Sequence, residues 1–213
     1  MQTDRDTFLH DADVSRETLA RLDAYGECLR TWTRRINLVS PRTLETLWAR
    51  HIYDSAQLWP LRPRPCRQWL DLGPGAGLPG LVIAAFAADT AEGTEVTLVE
   101  SDTRKAAFLA SAARAMDVRV RVIARRIESV RLPPPDVISA RALAPLDRLL
   151  ALAAPFAGPN TVCLFPKGAR AISELTEARA GWHIDCQEIA SRTDPNATIL
   201  RISSFEQRHA PSD

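Results

Sequence analysis

The sequence predicts an α/β fold in which a mostly parallel, seven-stranded sheet ends in an antiparallel hairpin and follows an N-terminal helical cap. Three observations predict this fold. Short apolar strands alternate with helical segments from residue 66 onward, which is typical of right-handed crossovers between parallel strands. The last two strands are separated only by the turn TDPN, which favours a hairpin. A glycine-rich stretch, DLGPGAGLPG (71–80), follows the first strand, at the edge where parallel sheets bind ligands.

The first 65 residues predict the helical cap. Residues 15–36 carry apolar side chains at helical spacing, and Ser15 can cap the start of that helix. A second helix is expected from Thr43 to about Ile52. The stretch LWPLRPRPCR contains three prolines and therefore predicts a linker to the next domain.

Residues 66–206 predict the sheet domain, and residues 207–213 predict a polar tail. The expected strands are 69–72, 96–100, 118–123, 136–140, 161–165, 182–189 and 197–203. The expected helices are 79–88, 102–116, with Asp102 as its N-cap, 146–154 and 169–180.

Composition excludes several classes of protein. The chain has 213 residues, of which 46% are hydrophobic and 25% charged, enough for one domain with an extension. Its four cysteines form no CxxC pair, so neither a metal site nor a disulfide framework is expected. The N-terminus lacks the pattern of a signal peptide, and the longest uncharged apolar run is far too short to span a bilayer. We expect a soluble, cytoplasmic protein that acts as a monomer.

Charge is unevenly distributed along the chain. Residues 30–70 contain eight basic and two acidic side chains, and residues 104–141 contain nine basic and three acidic ones. Between them, residues 71–103 contain six acidic and no basic side chains. The two basic segments are either solvated helix faces or a split surface that grips a polyanion on both sides of a pocket.

The glycines of DLGPGAGLPG predict a nucleotide-like ligand lying on bare backbone. Gly73, Gly75 and Gly77 fall in the first strand-to-helix turn, where a side chain would block a ligand. GAGLPG also matches GxGxxG, so a dinucleotide site is a competing interpretation. However, Asp71 would repel a pyrophosphate and could instead bind a ligand amine or order the loop. Together with Glu100, which ends the next strand and can accept both ribose hydroxyls, this favours S-adenosylmethionine.

With these residues in view, the sequence resembles the bacterial small-subunit rRNA guanine-N7 methyltransferase family (RsmG, also called GidB), from about residue 20 to 203. The resemblance rests on RINLVS (35–40), ARHIYDS (49–55), DLGPGAGLPG (71–80), VESDTRKAAFL (99–109), ARRIES (124–129), ISARALAPL (138–146) and FPKG (165–168). It implies a Rossmann-like class I S-adenosylmethionine-dependent methyltransferase fold. It also implies that the substrate is guanosine 527, in the decoding-region loop of 16S rRNA within the 30S subunit.

The resemblance and the loop chemistry together give a set of candidate site residues. Those expected at the cofactor are Asp71, Gly73, Gly75, Gly77, Leu78, Glu100, Ser101, Asp102, Ile127, Glu128 and Arg141. Those expected at the substrate are Asn37, His51, Asp54 and Lys167, although the first three could equally have structural roles. Arg141 and Lys167 are the predicted catalytic groups.

Guanine N7 has a free lone pair, so in-line transfer of a methyl group to it requires no general base, and the work of the site is orientation. Arg141 or Lys167 is expected to bind O6 or a neighbouring phosphate and to leave N7 exposed.

Three other functions compete with this one: methylation of another RNA, a protein or a small molecule; nicotinamide-dependent oxidoreduction; and RNA binding without catalysis. The last lacks aromatic platforms, because only 6% of the residues are aromatic.

Overall fold

The computed structural model describes residues 4–208, which form a seven-stranded sheet with helices on both faces. The strands are β1 (Gln68–Leu72), β2 (Glu95–Val99), β3 (Val120–Ile123), β4 (Val137–Ser139), β5 (Val162–Lys167), β6 (Trp182–Ala190) and β7 (Thr198–Gln207). The helices are α1 (Asp4–Asp11), α2 (Arg16–Thr33), α3 (Pro41–Leu44), α4 (Asp54–Ala56), α5 (Gly80–Ala87), α6 (Thr103–Ala115), α7 (Leu146–Ala153) and α8 (Ala171–Ala178). A π-helical turn (Trp48–Tyr53) and two 3₁₀ turns (Trp59–Leu61 and Ile127–Ser129) complete the elements.

The strand order is β3-β2-β1-β4-β5-β7-β6. Strands β1 to β5 run parallel to one another, and β7 is antiparallel to both β5 and β6. The predicted parallel sheet with a C-terminal antiparallel hairpin is therefore confirmed. Strands β2 and β3 lie on one side of β1, and β4 and β5 lie on the other. The strand order therefore reverses between β1 and β4, and at such a switch point an open sheet forms a ligand-binding crevice.

Two apolar layers cover the sheet. On one face, Trp69 and Leu98 pack in the same cluster as Leu22 and Tyr25 of the cap and Phe108 of α6. The opposite face carries Leu70, Leu72, Val99 and Ile138, which pack against α7 and α8. Strands buried on both faces are typical of parallel sheets. The cap shares its core with the helices of the sheet domain.

The cap differs in part from the prediction. Helix α2 begins as expected, because the Ser15 hydroxyl accepts a hydrogen bond from the Thr18 N–H at 2.9 Å. The single helix expected from Thr43 is wrong: α3, the π-helical turn and α4 take its place. Oδ2 of Asp4 accepts hydrogen bonds from the N–H groups of Trp48 and Ala49, at 3.1 and 3.2 Å, and so caps the π-helical turn from a distant segment.

The two ends of the described chain also differ from the prediction. Helix α1 was not predicted, since its sequence has few apolar residues; it is held by Phe8, which is fully buried against the rings of Trp48 and Tyr53. The tail predicted from residue 207 begins too early, because Gln207 still pairs with Trp182 at the end of β7. Residues 209–213 lie outside the described residues.

All four cysteines are free thiols. Burial raises the pKa of Cys66 to about 12 and also raises that of Cys163, so both are neutral packing groups at pH 7. Among residues 4–208, no group of three or more His, Cys, Asp or Glu side chains could hold a metal ion. None of the helices in that range has the length and hydropathy needed to cross a membrane.

Candidate active site

Two adjoining cavities open at the carboxyl ends of the parallel strands. The first cavity, about 650 Å³, is lined mainly by residues 73–76, 99–101, 126–128 and 141–145. The second cavity, about 600 Å³, is lined by the cap residues Arg50, His51 and Asp54 and by groups from β5 and the β6–β7 turn. Residues 141–145, which follow β4, line both cavities and are called here the shared segment. Both volumes are within the range of small-molecule sites.

The glycine loop forms one wall of the first cavity. Gly73, Gly75 and Gly77 all have positive φ angles, of 61°, 55° and 86°. A Cβ on Gly75 would meet no protein atom within 4 Å, whereas one on Gly77 would collide with the side chain of Leu81. Gly75 therefore leaves bare backbone at the cavity, and Gly77 allows the loop to pack against α5.

Glu100 connects the end of β2 to this loop. Its Oε2 accepts a hydrogen bond from the Gly75 N–H at 3.0 Å, and its Oε1 accepts one from the Asp102 N–H at 2.9 Å. The residue is 6% exposed and lines the first cavity. A carboxylate offers about four acceptor sites, so Glu100 retains capacity for a ligand hydroxyl.

Asp71 lies beneath the loop and does not line either cavity. Its Oδ2 accepts a hydrogen bond from the Gly80 N–H at 2.7 Å, at the first residue of α5. Its Oδ1 accepts one from the Ser139 hydroxyl at 2.7 Å, and that hydroxyl accepts the Trp69 indole N–H at 2.8 Å. Of the two roles expected for Asp71, this geometry matches the ordering of the loop. Burial raises the pKa of Asp71 to about 7.

The other predicted cofactor residues divide into two groups. The first cavity is lined by Gly73, Gly75, Leu78, Glu100, Ser101, Ile127, Glu128 and Arg141. Gly77 and Asp102 lie behind this surface. Asp102 caps α6, because its Oδ1 accepts hydrogen bonds from the N–H groups of Arg104 and Lys105 at 2.8 and 3.2 Å.

Arg141 lies in the shared segment, and its guanidinium forms hydrogen bonds to three groups of the cap. Its Nη1 donates to Oδ2 of Asp54 at 2.9 Å and to the Arg50 carbonyl at 3.1 Å. Its Nη2 lies 2.7 Å from Nδ1 of His51. Burial, together with the charges of Arg141 and Arg50, lowers the pKa of His51 to about 4. His51 is therefore neutral at pH 7, and its Nδ1 accepts the guanidinium N–H.

Asp54 also holds the β6–β7 turn. Its Oδ1 accepts hydrogen bonds from Gln57 Nε2 at 3.0 Å and from the Thr193 hydroxyl at 3.1 Å. With Arg141 on the other oxygen, the carboxylate joins three parts of the chain: the cap, the shared segment and the hairpin. Asp54 and His51 both line the second cavity, whereas Asn37 is exposed between α2 and α3 and lines neither cavity.

Lys167 holds the other end of the shared segment. Its Nζ donates to the Ala144 carbonyl at 2.8 Å and to Oε2 of Glu174 at 2.9 Å. The same oxygen of Glu174 accepts the Leu146 N–H at 3.0 Å. Between these anchors, Ala142 has a φ of 52°, a conformation that residues other than glycine rarely adopt. The shared segment is thus fixed at both ends around a strained residue.

Several lining residues were not predicted. Leu38 and Val39 line the first cavity beside Lys105, Arg126 and Arg148, and Glu174, Thr193 and Asp194 line the second. Leu38 and Val39 fall within RINLVS, so the resemblance contained a signal for them. Glu174 and Thr193 stand in helix and turn sequences with no distinguishing pattern, and only the fold brings them to the site.

The raised pKa of Asp71 predicts a pH dependence of stability. The folded state binds the proton more tightly than the unfolded chain, where the pKa is near 4, so ionisation destabilises the fold. We expect the free energy of unfolding of the wild type, relative to that of Asp71→Asn, to fall by up to about 1.4 kcal/mol per pH unit between about pH 4 and pH 7. Urea unfolding of both proteins measures this, and a difference that is constant over the range would contradict it.

Comparisons with known proteins identify the family of this chain. The family model GidB, described as rRNA small subunit methyltransferase G, matches residues 18–196. A protein of Cereibacter sphaeroides named Ribosomal RNA small subunit methyltransferase G is 51% identical over 91% of this chain and 93% of its own. One of the same name from Methylobacterium nodulans is 50% identical over 95% and 96%.

Solved structures confirm the class I methyltransferase fold. An O-methyltransferase from Bacillus cereus in complex with SAH matches 94% of this chain and 97% of its own with a TM-score of 0.58, at 16% identity. A ribosomal protein L11 methylase from Lactobacillus delbrueckii matches 73% and 77% with a TM-score of 0.55, at 15% identity. Given the family match over most of its length, the chain belongs to the rRNA small subunit methyltransferase G (GidB) family and is a methyltransferase.

Proposed function

We propose that this protein transfers a methyl group from S-adenosylmethionine to N7 of a guanosine in the decoding-region loop of 16S rRNA, with guanosine 527 as the target that the family resemblance implies. The observation that carries the proposal is the position of Arg141 in a wall common to two cavities. A methyl donor in the first cavity and a base in the second would both lie next to Arg141 and therefore close to each other. We infer that the enzyme acts as a monomer in the cytoplasm, where its rRNA substrate is made.

The residues of the first cavity fit S-adenosylmethionine. Gly75 leaves open backbone beside the nearly buried carboxylate of Glu100, a pairing suited to a ribose with two hydroxyls. The turn that contains Ile127 and Glu128 is the expected contact for adenine. Acidic and basic side chains both line the cavity, and this suits a ligand that carries a sulfonium, an ammonium and a carboxylate. When bound, S-adenosylmethionine supplies a methyl group on a good leaving group.

The groups of the second cavity have unused donors that suit guanine. A guanidinium has five N–H groups and Arg141 uses three of them, while Lys167 uses two of its three. The remaining donors can bind O6 or a phosphate. Asp54 and Glu174 lie beside these cations, and they provide negative charge near a base that becomes cationic on methylation.

The chain does not need to move a proton from the base. N7 of neutral guanine carries a free lone pair, so the task of Arg141 and Lys167 is to orient the base and exclude water. Orientation of this kind can contribute roughly 7–11 kcal/mol. His51 is neutral, with Nδ1 engaged by Arg141, and it acts here as a support for the guanidinium.

Basic side chains at the cavities suit an RNA substrate. Lys105, Arg126 and Arg148 line the first cavity, and the half-exposed Arg50 lines the second. They come from both of the basic segments of the sequence and from α7. Phosphate contacts of this type weaken steeply as the salt concentration rises. A methyltransferase of a small molecule would lack that dependence.

Methyl transfer to 30S subunits tests the proposal. We expect labelled S-adenosylmethionine to modify one guanosine at N7 in subunits or rRNA that lack the modification, with activity that falls as the salt concentration rises.

Arg141→Ala should lower kcat by about 100-fold, because the base loses its alignment. Arg5→Ala is the control, since it removes an ion pair with Asp23 that lies outside both cavities. Mapping the methylated base and comparing the rates measures both effects.

No methylation of rRNA by the wild type would end the proposal. Equal rates in Arg141→Ala and Arg5→Ala would remove the role assigned to Arg141. Methylation at another atom or base would retain the enzyme class and change the substrate. Binding of NAD(H) in place of S-adenosylmethionine, measured by thermal shift, would favour an oxidoreductase.

A matched pair of glycine variants tests the cofactor site. Gly75 and Gly93 both have positive φ angles, of 55° and 68°, and at both a new Cβ would meet no atom within 4 Å. Gly75→Ala and Gly93→Ala should therefore lose similar stability, about 1 kcal/mol. Only Gly75→Ala should weaken S-adenosylmethionine binding, by about tenfold or more, because its methyl group enters the first cavity. Calorimetric titration measures the Kd, and equal Kd values for the two variants would show that the ligand binds elsewhere.

A further inference from the structure

The cap helix α2 reaches the glycine loop through the hydroxyl of Tyr25. Tyr25 is fully buried, and its Oη donates a hydrogen bond to the carbonyl oxygen of Ala76 at 2.8 Å. Ala76 lies between Gly75 and Gly77 and lines the first cavity. The bond joins residues 51 positions apart in the chain, so it links the cap to the cofactor loop.

The glycine loop requires contacts from outside itself to fix the orientation of its peptide groups. Both neighbours of Ala76 are glycines with positive φ, so the peptide planes on either side can rotate more freely than in other loops. The Gly77 N–H donates to the Pro74 carbonyl at 2.9 Å, on the opposite side of the Ala76–Gly77 peptide from the bond to Tyr25. Rotation of that peptide would break both bonds and leave a buried carbonyl without its partner. The tyrosine hydroxyl therefore fixes the orientation of the peptide.

We propose that Tyr25 is a positioning residue of the cofactor site: its hydrogen bond to Ala76 holds the glycine loop in the shape that binds S-adenosylmethionine. The proposal rests on the proposed function, because it assigns the first cavity to that cofactor. The cap then has two tasks, since it supports Arg141 on the substrate side and the glycine loop on the cofactor side. Burial raises the pKa of the Tyr25 phenol well above its usual range, so the hydroxyl remains protonated and keeps its donor at neutral pH.

The same helix provides a matched control. The hydroxyl of Thr18, two turns before Tyr25, is also buried and donates to the Ala85 carbonyl of α5 at 3.3 Å. Both bonds cross the interface between α2 and the sheet domain. The Thr18 bond ends on a helix that lies outside the first cavity, whereas the Tyr25 bond ends on the loop that lines it. Thr18→Val and Tyr25→Phe each remove one such bond with little change in shape.

The test compares cofactor binding with stability in these two variants of the full chain. We expect both substitutions to lower Tm by about 2–4 °C. Tyr25→Phe should raise the Kd for S-adenosylmethionine and for S-adenosylhomocysteine by about fivefold to tenfold, and Thr18→Val should change neither by more than about twofold. In steady-state assays, Tyr25→Phe should raise KM for the cofactor and leave kcat and KM for rRNA near their wild-type values. A role in packing alone would lower Tm without moving the Kd.

Two unnatural residues at position 25 separate the donor from the packing, and they decide the matter even where Tyr25→Phe does not fold. 4-Aminophenylalanine keeps a donor at the position of the hydroxyl, and 4-methylphenylalanine fills the same volume without one. Tighter binding by the amino variant than by the methyl variant supports the positioning role. Equal Kd values for these two, or for Tyr25→Phe and Thr18→Val, overturn it while the proposed function stands. A wild-type chain that binds no S-adenosylmethionine overturns both.

Discussion

The structure depends on the fixed position of the shared segment, residues 141–145. These residues are a wall of both cavities, so any shift in them would change the shape of each cavity and the distance between a donor in one and a base in the other. Two partly buried ion pairs hold the segment: Arg141 with Asp54 at 2.9 Å, and Lys167 with Glu174 at 2.9 Å. Desolvation offsets much of the attraction in such pairs, so we expect them to contribute conformational specificity more than net stability. Here that specificity coincides with the place where catalysis needs alignment, and with the strained backbone of Ala142.

The cap is part of the site because one short stretch of it supplies three hydrogen-bonding groups to Arg141. The π-helical turn Trp48–Tyr53 leads directly into α4, and together they bring the Arg50 carbonyl, His51 and Asp54 to one guanidinium. Single π-helical turns of this kind occur frequently at functional sites. Neutral His51 suits this place, since a second cation beside Arg141 would repel it. The same cap meets the glycine loop at Tyr25, so one helical unit contacts the walls of both cavities.

The sequence could predict features that depend on local pattern and chain order. Strand alternation gave the parallel sheet and its hairpin, and short-range capping chemistry identified Ser15 and Asp102 as N-caps. It could not predict contacts that depend on tertiary distance. Asp4 caps the π-helical turn that replaces part of the predicted second cap helix, although it lies more than 40 residues earlier in the chain. Glu174 binds Leu146 and Lys167 from a helix with no distinguishing motif. The hydroxyl of Tyr25 was indistinguishable in the sequence from an ordinary core group of an amphipathic helix.

Strand register explains why two acids that both stand near strand ends have different environments. Asp71 pairs with Leu98 and Glu100 follows Val99, so Glu100 lies two residues further toward the cavities than Asp71 does. At about 3.3 Å per residue, that offset is about 7 Å, enough to separate a buried group from one at the ligand surface. Asp71 therefore meets the start of α5 and Ser139 inside the domain, where burial raises its pKa. Glu100 meets the N–H of Gly75 at the cavity wall. The sequence shows both acids but not the register, which places Glu100 and not Asp71 at the cavity wall.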